Sequence, residues 1–401
     1  MGAKMARPLF LSYAWTDSRE VDLLDTLLRL RGVPIWRDRR RMTFGTYNQA
    51  RARQGIAEIC SGFALNYTDA VLSSDFILDV ELREMDARRR RGEPPPFFAG
   101  AVVRRDGPFV EVLEELRRAA DGIDLSAALG TPVADADLEA GQRRAANAIL
   151  DSYLAQELAG GDQVGLRIET RGDIPNSDPS LLHLCWSPPL HHDPELHPRE
   201  VWPRELMPAL TDLHASLDSA GSPRRLRIGG NMHLSAALAL GFEFRQPSGW
   251  SLEIDHEFVP VNSALVAPDA HGWRMNVDPG PPGCEERLVV CLHASQDAAD
   301  AMRRHGRKQP PAAATLHIYP PSGEPDRTSL DPAHANELAA AIAAKINSVR
   351  REHHASSTHL YLACPWPLAT LLGWHLSSSG HLVMHEPDVD RGSYRAACVL
   401  A

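Results

Sequence analysis

The sequence lacks several patterns that would limit its function to one class. None of its cysteines, at positions 60, 185, 284, 291, 364 and 398, forms a CxxC pair, and their spacing matches no zinc or disulfide framework. No apolar run approaches the length of a membrane span, and the N-terminus has no signal-peptide core. We therefore expect a reduced, cytoplasmic protein with no membrane partner.

Positive charge is scarce as well. The formal net charge is −10, and lysine occurs only at positions 4, 308 and 345, so almost every basic residue is an arginine. A protein that coats long DNA or RNA needs a basic face, and this charge balance excludes that class. It leaves open a small anionic ligand that a few arginines hold.

Common nucleotide, hydrolase and metal signatures are also missing. There is no P-loop and no G-x-S-x-G, and "IGGN" at 228–231 lacks the spacing of a dinucleotide fingerprint. "HHDPELH" at 191–197 is rich in histidine, but it lies in a proline-rich stretch with no helix to fix the geometry of ligands. We expect no bound metal and no cofactor.

The length of 401 residues predicts two or three domains. In the first, residues 7–130, strand-like and helix-like segments alternate, which predicts an α/β fold with a parallel sheet. "SREVDLLDTLLRLRG" is a predicted helix that stops at Gly32, and residues 131–162 predict a linker helix. The predicted strands are "RPLFLSYAW", "VPIWRD", "SSDFILD" and "PPFFAGAVV". Ligands of such sheets bind beyond the carboxyl ends of the strands.

The last domain, residues 163–401, contains an internal repeat. "GGNMHLSAALALG" at 229–241 aligns without gaps to "YLACPWPLATLLG" at 361–373, and both end in Ala-x-x-Leu-Gly. Each copy follows an apolar strand and precedes another strand-like run. Two fused copies of one α/β unit, at about 163–283 and 284–401, are the simplest interpretation. The alternative is two unrelated strand–helix pairs with similar packing residues.

Three segments of the first domain resemble the Toll/interleukin receptor (TIR) family. "FLSYAWTD" carries Ser12 and Tyr13 where the family has Ser-Tyr after its first strand. "GVPIWRDRRRMTFGTY" resembles the second strand and its loop, with Asp38 and Tyr47 at matching positions. "SSDFILDVELREM" resembles the segment with the family's glutamate, which we align with Glu84, although Val80 replaces the usual tryptophan. The resemblance implies a flavodoxin-like parallel sheet.

Enzymatic TIR domains cleave NAD+ at the nicotinamide–ribose bond. The resemblance therefore implies NAD+ as the substrate and Glu84 as the carboxylate beside the ribosyl cation of the transition state. Tyr13, Trp36 and Tyr47 are candidates for stacking on the rings, and Asp38 for holding a polar part of the substrate. Four of these residues also have a plain structural interpretation: a helix-start acid for Glu84, core packing for Trp36, and loop hydrogen bonds for Tyr13 and Asp38.

The doubled pattern of the last domain resembles the SAVED family, in which two Rossmann-like (CARF-like) halves bind cyclic oligonucleotides in bacterial antiviral signalling (CBASS). The resemblance implies a cyclic oligonucleotide as activator, and purine stacking favours a cyclic tri-adenylate. The two strand-to-helix turns would present backbone N–H groups to phosphates. The candidate binding residues on these turns are Gly230, Asn231, Met232, Cys364, Pro365 and Trp366.

Together the two resemblances imply an antiviral NAD+ glycohydrolase that is switched on by a cyclic nucleotide. We also expect ligand-induced self-association, because the TIR loop at 39–49 often packs against a neighbouring TIR domain, and a head-to-tail contact builds rings or filaments. The alternative is a TIR scaffold without enzymatic activity that recruits other TIR proteins. A nucleotide-processing enzyme built on residues 163–401 would need clustered carboxylates or metal ligands, which the sequence does not show there.

Overall fold

A computed structural model describes residues 7–37, 46–92, 98–103, 109–123, 129–132, 138–158, 161–172, 180–187, 198–256, 259–264, 266–297, 302, 305, 311–326, 330–376, 380–388 and 393–401. The chain divides into two compact units. The first comprises Met1–Leu166, Pro175–Leu184 and Asp212–Pro223, and the second comprises Arg167–Ile174, Cys185–Thr211 and Arg224–Ala401. The domain boundaries drawn from the sequence stay predictions.

The first unit holds a sheet in the order β2-β1-β3-β4-β5, and all of its strand pairs are parallel. Its strands are β1 (Leu9–Tyr13), β2 (Ile35–Trp36), β3 (Gly62–Tyr67), β4 (Phe98–Val103) and β5 (Leu129–Pro132). Its helices are α1 (Ser18–Leu30), α2 (Thr46–Gln54), α3 (Arg83–Arg91), α4 (Phe109–Ala119) and α5 (Leu138–Glu157). The predicted parallel α/β arrangement is confirmed for this part of the chain. Helix α1 ends just before Gly32, whose φ of 88° suits a glycine after a helix end.

One predicted strand is wrong. "SSDFILD" is helical: Ile77–Leu82 form a π-helical segment that leads directly into α3. The Ser74 hydroxyl accepts a hydrogen bond from the Ile77 N–H at 3.4 Å, near the start of this helix. Ile77, Leu82 and Met85 are buried in the same hydrophobic cluster. A short apolar run looks alike in a buried strand and in a buried helix, and this run belongs to the helix.

The third strand of the sheet is instead β3, for which the sequence analysis predicts no strand. All six of its residues are buried. Phe63, Leu65 and Tyr67 project into the same cluster as Phe10 of β1. The strand is central in the sheet and covered on both faces, so it lacks the alternation of polar and apolar residues that reveals an exposed strand.

Helix α5 occupies the region predicted as a linker helix. It packs against α1 within the first unit, and it buries Ala145, Ile149 and Leu150 among other residues. The Tyr153 hydroxyl donates to the Leu181 carbonyl at 3.2 Å. The helix itself is confirmed, and its buried face makes it part of the first unit's core.

Two further sheets follow along the chain, in the orders β10-β9-β8-β6-β7 and β11-β13-β12-β14-β15-β16. The strands of the first are β6 (Val164–Glu169), β7 (Leu182–Cys185), β8 (Arg225–Asn231), β9 (Ser251–His256) and β10 (Val259–Asn262). Those of the second are β11 (Arg274–Pro279), β12 (Glu285–His293), β13 (Ala312–Tyr319), β14 (Ser357–Ala363), β15 (His381–Asp388) and β16 (Ser393–Leu400). The helices are α6 (Pro198–Val201), α7 (Met207–Ser219), α8 (Leu234–Glu243), α9 (Ala335–Glu352) and α10 (Trp366–His375). Within the described residues, no helix is both long and apolar enough to cross a membrane.

The internal repeat has a structural counterpart. Strand β14 begins 132 residues after β8 (357 against 225), and α10 begins 132 residues after α8 (366 against 234). Each strand pairs in parallel with the strand that follows its helix, β8 with β9 and β14 with β15. The two copies are therefore equivalent strand–helix–strand units.

The repeated Ala-x-x-Leu-Gly ends where α8 and α10 touch. A Cβ atom on Gly241 would lie 1.9 Å from the carbonyl oxygen of Thr370, and one on Gly373 would lie 2.2 Å from that of Leu238. Thr370 and Leu238 are themselves equivalent positions of the repeat. Glycine is required twice because two backbones meet there at a distance that no side chain allows.

Candidate functional sites

A cavity of about 260 Å³ lies beyond the carboxyl end of β1 in the first unit. Its lining is mostly apolar and aromatic, with a few polar groups from β1 and from the helical segment before α3. The lining residues are Phe10, Leu11, Ser12, Tyr13, Trp15, Trp36, Ala52, Ser74, Phe76, Ile77 and Glu81. This is the edge of a parallel sheet at which ligands are expected.

Aromatic packing holds one wall of this cavity in place. The Phe10 ring stacks on Trp36 at 4.8 Å between centroids and on Phe63 at 5.4 Å. Gly55 lies against Trp36, and a Cβ atom there would come within 3.2 Å of the indole. At the rim, the Arg37 guanidinium lies 4.3 Å from the centre of the Tyr13 ring. The cavity thus has rigid, flat walls of the kind that bind planar rings.

The carboxylate in this cavity belongs to Glu81. It is only 8% exposed, and its Oε2 accepts a hydrogen bond from the Ser12 hydroxyl at 2.5 Å. Ser12 is at the end of β1, and Glu81 lies in the π-helical segment Ile77–Leu82. Such segments widen a helix locally and recur at functional sites. A buried carboxylate that lines an aromatic cavity is a candidate for chemistry rather than for solubility.

The structure places some of the predicted substrate and catalytic residues of the first unit at this cavity and others elsewhere. Tyr13 and Trp36 both line the cavity. Asp38 lies outside the described residues, and Tyr47 is in α2, where its side chain is not described. Glu84 is not among the lining residues; it lies in the first turn of α3 with its carboxylate 3.7 Å from an Arg91 nitrogen. The catalytic role of Glu84 stays a prediction.

The sequence did contain a signal for Glu81. The TIR segment that "SSDFILDVELREM" resembles ends in Glu-Leu, and Glu81–Leu82 is the Glu-Leu pair here, whereas Glu84 is followed by Met85. Placing Val80 at the family's tryptophan leads instead to Glu84. In a helix, Glu81 can point to the cavity while Leu82 packs into the core.

A second cavity, of about 300 Å³, lies within the second unit. Both repeated strand-to-helix turns contribute to it, together with the segments after β6, β12 and in β15. Its lining residues are Arg171, Asn231, Met232, Leu234, Ser295, Gln296, Leu362, Ala363, Cys364, Pro365, Trp366, Glu386 and Pro387. Five of the six predicted binding residues therefore surround one space.

Gly230, the sixth, has a backbone role. Its φ is 127°, and a Cβ atom there would lie 2.0 Å from the Ile168 carbonyl oxygen. The Thr170 N–H donates to the Asn231 carbonyl at 3.1 Å, and the Thr170 hydroxyl accepts from the His233 N–H at 2.7 Å. Glycine at 230 thus lets the chain turn so that Asn231 and Met232 reach the cavity.

The second cavity offers fewer free N–H groups and less positive charge to a phosphate than the sequence predicts. The first turn of α8 does not offer its N–H groups to a ligand freely, because the Ser235 N–H donates to Glu386 Oε1 at 2.6 Å. Pro365, just before α10, and Pro367, in its first turn, have no N–H. Burial raises the pKa of the Glu386 carboxyl, although Ser235, Arg171 and Arg395 act in the opposite direction. Arg171, which is exposed, is the cation in the lining.

Trp186 and Arg227 are of residue types that often contact nucleotides, but both have protein partners in this structure. Trp186 is fully buried, edge-on to Trp202 at 5.8 Å between centroids. Arg227 pairs with Asp255 at 2.8 Å. The histidine-rich stretch 191–197 lies outside the described residues.

The repeat lies within the part of the chain that a known family model matches. A sequence model of SAVED, the "SMODS-associated and fused to various effectors sensor domain", matches residues 209–400. Among solved structures, the chain is similar to an Acinetobacter baumannii Cap4 SAVED/CARF-domain containing receptor with the cyclic trinucleotide 2'3'3'-cAAA, at 15% identity and a TM-score of 0.49, over 90% of this chain and 99% of that one. A Moraxella osloensis Cap4 receptor is 14% identical with a TM-score of 0.41, over 89% of this chain and 86% of that one. A comparison with curated protein sequences finds no match. Residues 209–400 are a SAVED domain.

Proposed function

We propose that this protein is an effector of antiphage signalling, in which a cyclic oligonucleotide bound by the second unit switches on an NAD+ glycohydrolase in the first. The observation that carries the proposal is Glu81, a buried carboxylate that lines an aromatic cavity and accepts a hydrogen bond from Ser12. We assign the catalytic carboxylate to Glu81 rather than to Glu84.

The architecture of the first unit supports a TIR domain. Its parallel sheet has the order 2-1-3-4-5, which is the flavodoxin-like order. Ser12 and Tyr13 end the first strand, and Glu81–Leu82 lie in the helical segment beside it. Ser12, Tyr13, Trp36 and Glu81 thus line one cavity, although they come from three separate segments of the sequence.

The chemistry follows from the lining. Nicotinamide leaves as a neutral molecule, so its departure needs little acid assistance, but the ribosyl carbon becomes cationic. The Glu81 carboxylate would stabilise that cation and orient the ribose hydroxyls, and Ser12 holds its Oε2 in position. Trp36 and Phe76 offer flat walls for the nicotinamide ring. Water then attacks the ribosyl carbon and releases a proton, which gives nicotinamide and ADP-ribose.

The second cavity suits a cyclic oligonucleotide. Arg171 can pair with a phosphate, and the half-buried Trp366 can stack on a base. Turns from both repeat copies line the space, which fits a ligand that itself has repeated nucleotides. We propose a cyclic trinucleotide of adenines as the activator. The Acinetobacter baumannii receptor is described with 2'3'3'-cAAA and 3'3'3'-cAAA, and these are convenient probes.

The decisive experiment compares two glutamates three residues apart. NAD+ loss is measured for the full chain with and without each cyclic trinucleotide, for the wild type, Glu81→Gln and Glu84→Gln. We expect Glu81→Gln to lose roughly a hundredfold or more of the ligand-stimulated rate, because it keeps the shape and removes the charge. Glu84→Gln should retain most of it, since Glu84 is outside the cavity.

The opposite ranking would return the catalytic role to Glu84. No NAD+ loss in the wild type under any condition, together with ligand-induced recruitment of other TIR domains, would support the scaffold instead. Binding is measured separately by calorimetry on all three proteins, so that a failure of the ligand is not mistaken for a failure of the carboxylate.

A further inference from the structure

Three side chains of the metal-ligand type converge on one face of the sheet around β12. Cys291 and His293 are two residues apart on β12, so they project to the same side, and His317 on β13 is the register partner of Cys291. Their ligand atoms all lie within 4.8 Å of one another. His293 Nε2 and His317 Nδ1 are 3.1 Å apart.

Carboxylates lie at the outer nitrogen of each histidine. The Nδ1 of His293 is 3.0 Å from Asp297, and the Nε2 of His317 is 3.7 Å from Asp278. A carboxylate favours a proton on the ring nitrogen that faces it. The two inner nitrogens lie within hydrogen-bond distance of each other, and a cation bound by both would replace that contact. Carboxylate–histidine–metal arrangements of this kind are the usual second shell of zinc sites.

The distances fit a tetrahedral site after a small adjustment. Two nitrogens bound to one Zn²⁺ at about 2.0–2.1 Å lie roughly 3.3 Å apart, close to the 3.1 Å between the two histidines. The Cys291 sulfur, which lies within 4.8 Å of both nitrogens, would have to move closer to reach a bond of about 2.3 Å. The Tyr319 ring stacks on His293 at 4.3 Å between centroids and covers another side.

We propose that Cys291, His293 and His317 bind a divalent cation of the zinc type, with water in the fourth position. Thiolate and imidazole ligands together select such borderline metals over magnesium or calcium. The site would fix the end of β12, from which the chain passes directly to Ser295 and Gln296 of the second cavity. This proposal does not depend on the proposed enzymatic activity.

A second cluster provides an internal control. His271, His334 and Glu337 also lie within ligand distance of one another, but they are more exposed and include no cysteine. The His271 Nε2 is already 2.6 Å from a Glu337 oxygen, as in an ordinary ion pair. Removing a histidine from this cluster should leave zinc binding unchanged.

The test is metal content and cobalt spectroscopy on the full chain. The wild-type protein, purified without chelator, should contain about one zinc per chain by elemental analysis. Cobalt substituted for zinc should give a tetrahedral visible spectrum with a thiolate band in the ultraviolet. His334→Gln should match the wild type, whereas His317→Gln should lose roughly tenfold or more of its affinity. Asp297→Asn alters only an exposed carboxylate, and it should weaken zinc by roughly 10–100-fold with the protein still folded.

Absence of zinc and of the cobalt spectrum in the folded wild type would overturn the proposal. So would equal metal loss in His334→Gln and His317→Gln, because the bound metal would not then be specific to the buried cluster. If Asp297→Asn binds zinc as tightly as the wild type, Asp297 does not orient His293 for the metal, and the proposed geometry of the site is wrong.

Discussion

At the scale of single residues, two buried glutamates stand out, Glu81 in the first unit and Glu386 in the second. Glu81 lies in an aromatic cavity beside a serine hydroxyl, three positions before Glu84, the glutamate that the sequence predicts. Glu386 was not singled out at all, since nothing in "LVMHEPD" distinguishes it from a surface acid. Its importance lies in a contact across 151 positions of sequence with the backbone of Ser235, which no local pattern encodes.

Glu386→Gln should stabilise the folded protein at neutral pH. Burial raises the pKa of this carboxyl in the folded state, so the folded state favours the protonated form. Below the unfolded-state pKa the wild type and the variant should be equally stable. As the pH rises through the raised folded pKa, the wild type alone loses stability, because its unfolded state ionises more easily. Glutamine keeps an oxygen for the Ser235 N–H.

The measurement is the melting temperature of both proteins between pH 4 and pH 8. We expect a gap of a few degrees that opens with rising pH. Glu352→Gln, at an exposed position in α9, controls for the change in net charge. A gap that is constant with pH, or that closes as the pH rises, would contradict the assigned direction.

At the scale of elements, the sequence predicts the repeat units well and the strands of the first sheet only in part. The gapless alignment at 132 residues corresponds to real strand and helix starts, because both copies keep the same backbone geometry. The sequence predicts the third strand at "SSDFILD" instead of at β3, because both segments contain short apolar runs that are buried. Five of the six predicted nucleotide-site residues line one cavity, since sequence equivalence placed both turns at strand ends.

Gly241→Ala and Gly373→Ala should each destabilise the second unit. A methyl group at either position meets a backbone carbonyl of the opposite helix, at 1.9 Å and 2.2 Å, so α8 and α10 must separate. Overpacking of this kind costs about 1–3 kcal/mol, and more where backbone has to move. The double variant should cost less than the sum, because one separation of the helices relieves both clashes.

Urea unfolding of the two single variants and the double variant gives the three free energies. Gly229→Ala is the matched control, since a Cβ atom there has nothing within 4 Å. Strict additivity would mean that the two glycines act at independent contacts. A neutral effect of either single change would show that the helices approach less closely than described.

At the scale of the whole molecule, we predict that NAD+ cleavage requires self-association. The first cavity, at about 260 Å³, is below the roughly 300–1,000 Å³ typical of small-molecule sites, so it suits the nicotinamide–ribose end of NAD+ rather than the whole dinucleotide. Trp15 lines the cavity and is 59% exposed, an unusual exposure for a large aromatic side chain. A neighbouring copy that covers Trp15 would add the missing wall and would keep a lone chain inactive.

The rate per chain should therefore rise steeply with protein concentration once cyclic trinucleotide is present, in step with light scattering. Trp15→Ala should shift that rise to higher concentration while keeping a similar plateau, because packing area is lost and the carboxylate is untouched. If Trp15 only contacts the substrate, the variant would instead lower the rate by the same factor at every concentration. Full activity in a species that sedimentation identifies as a monomer would remove the requirement for a second copy altogether, and the small cavity would then have to bind NAD+ without help from a neighbour.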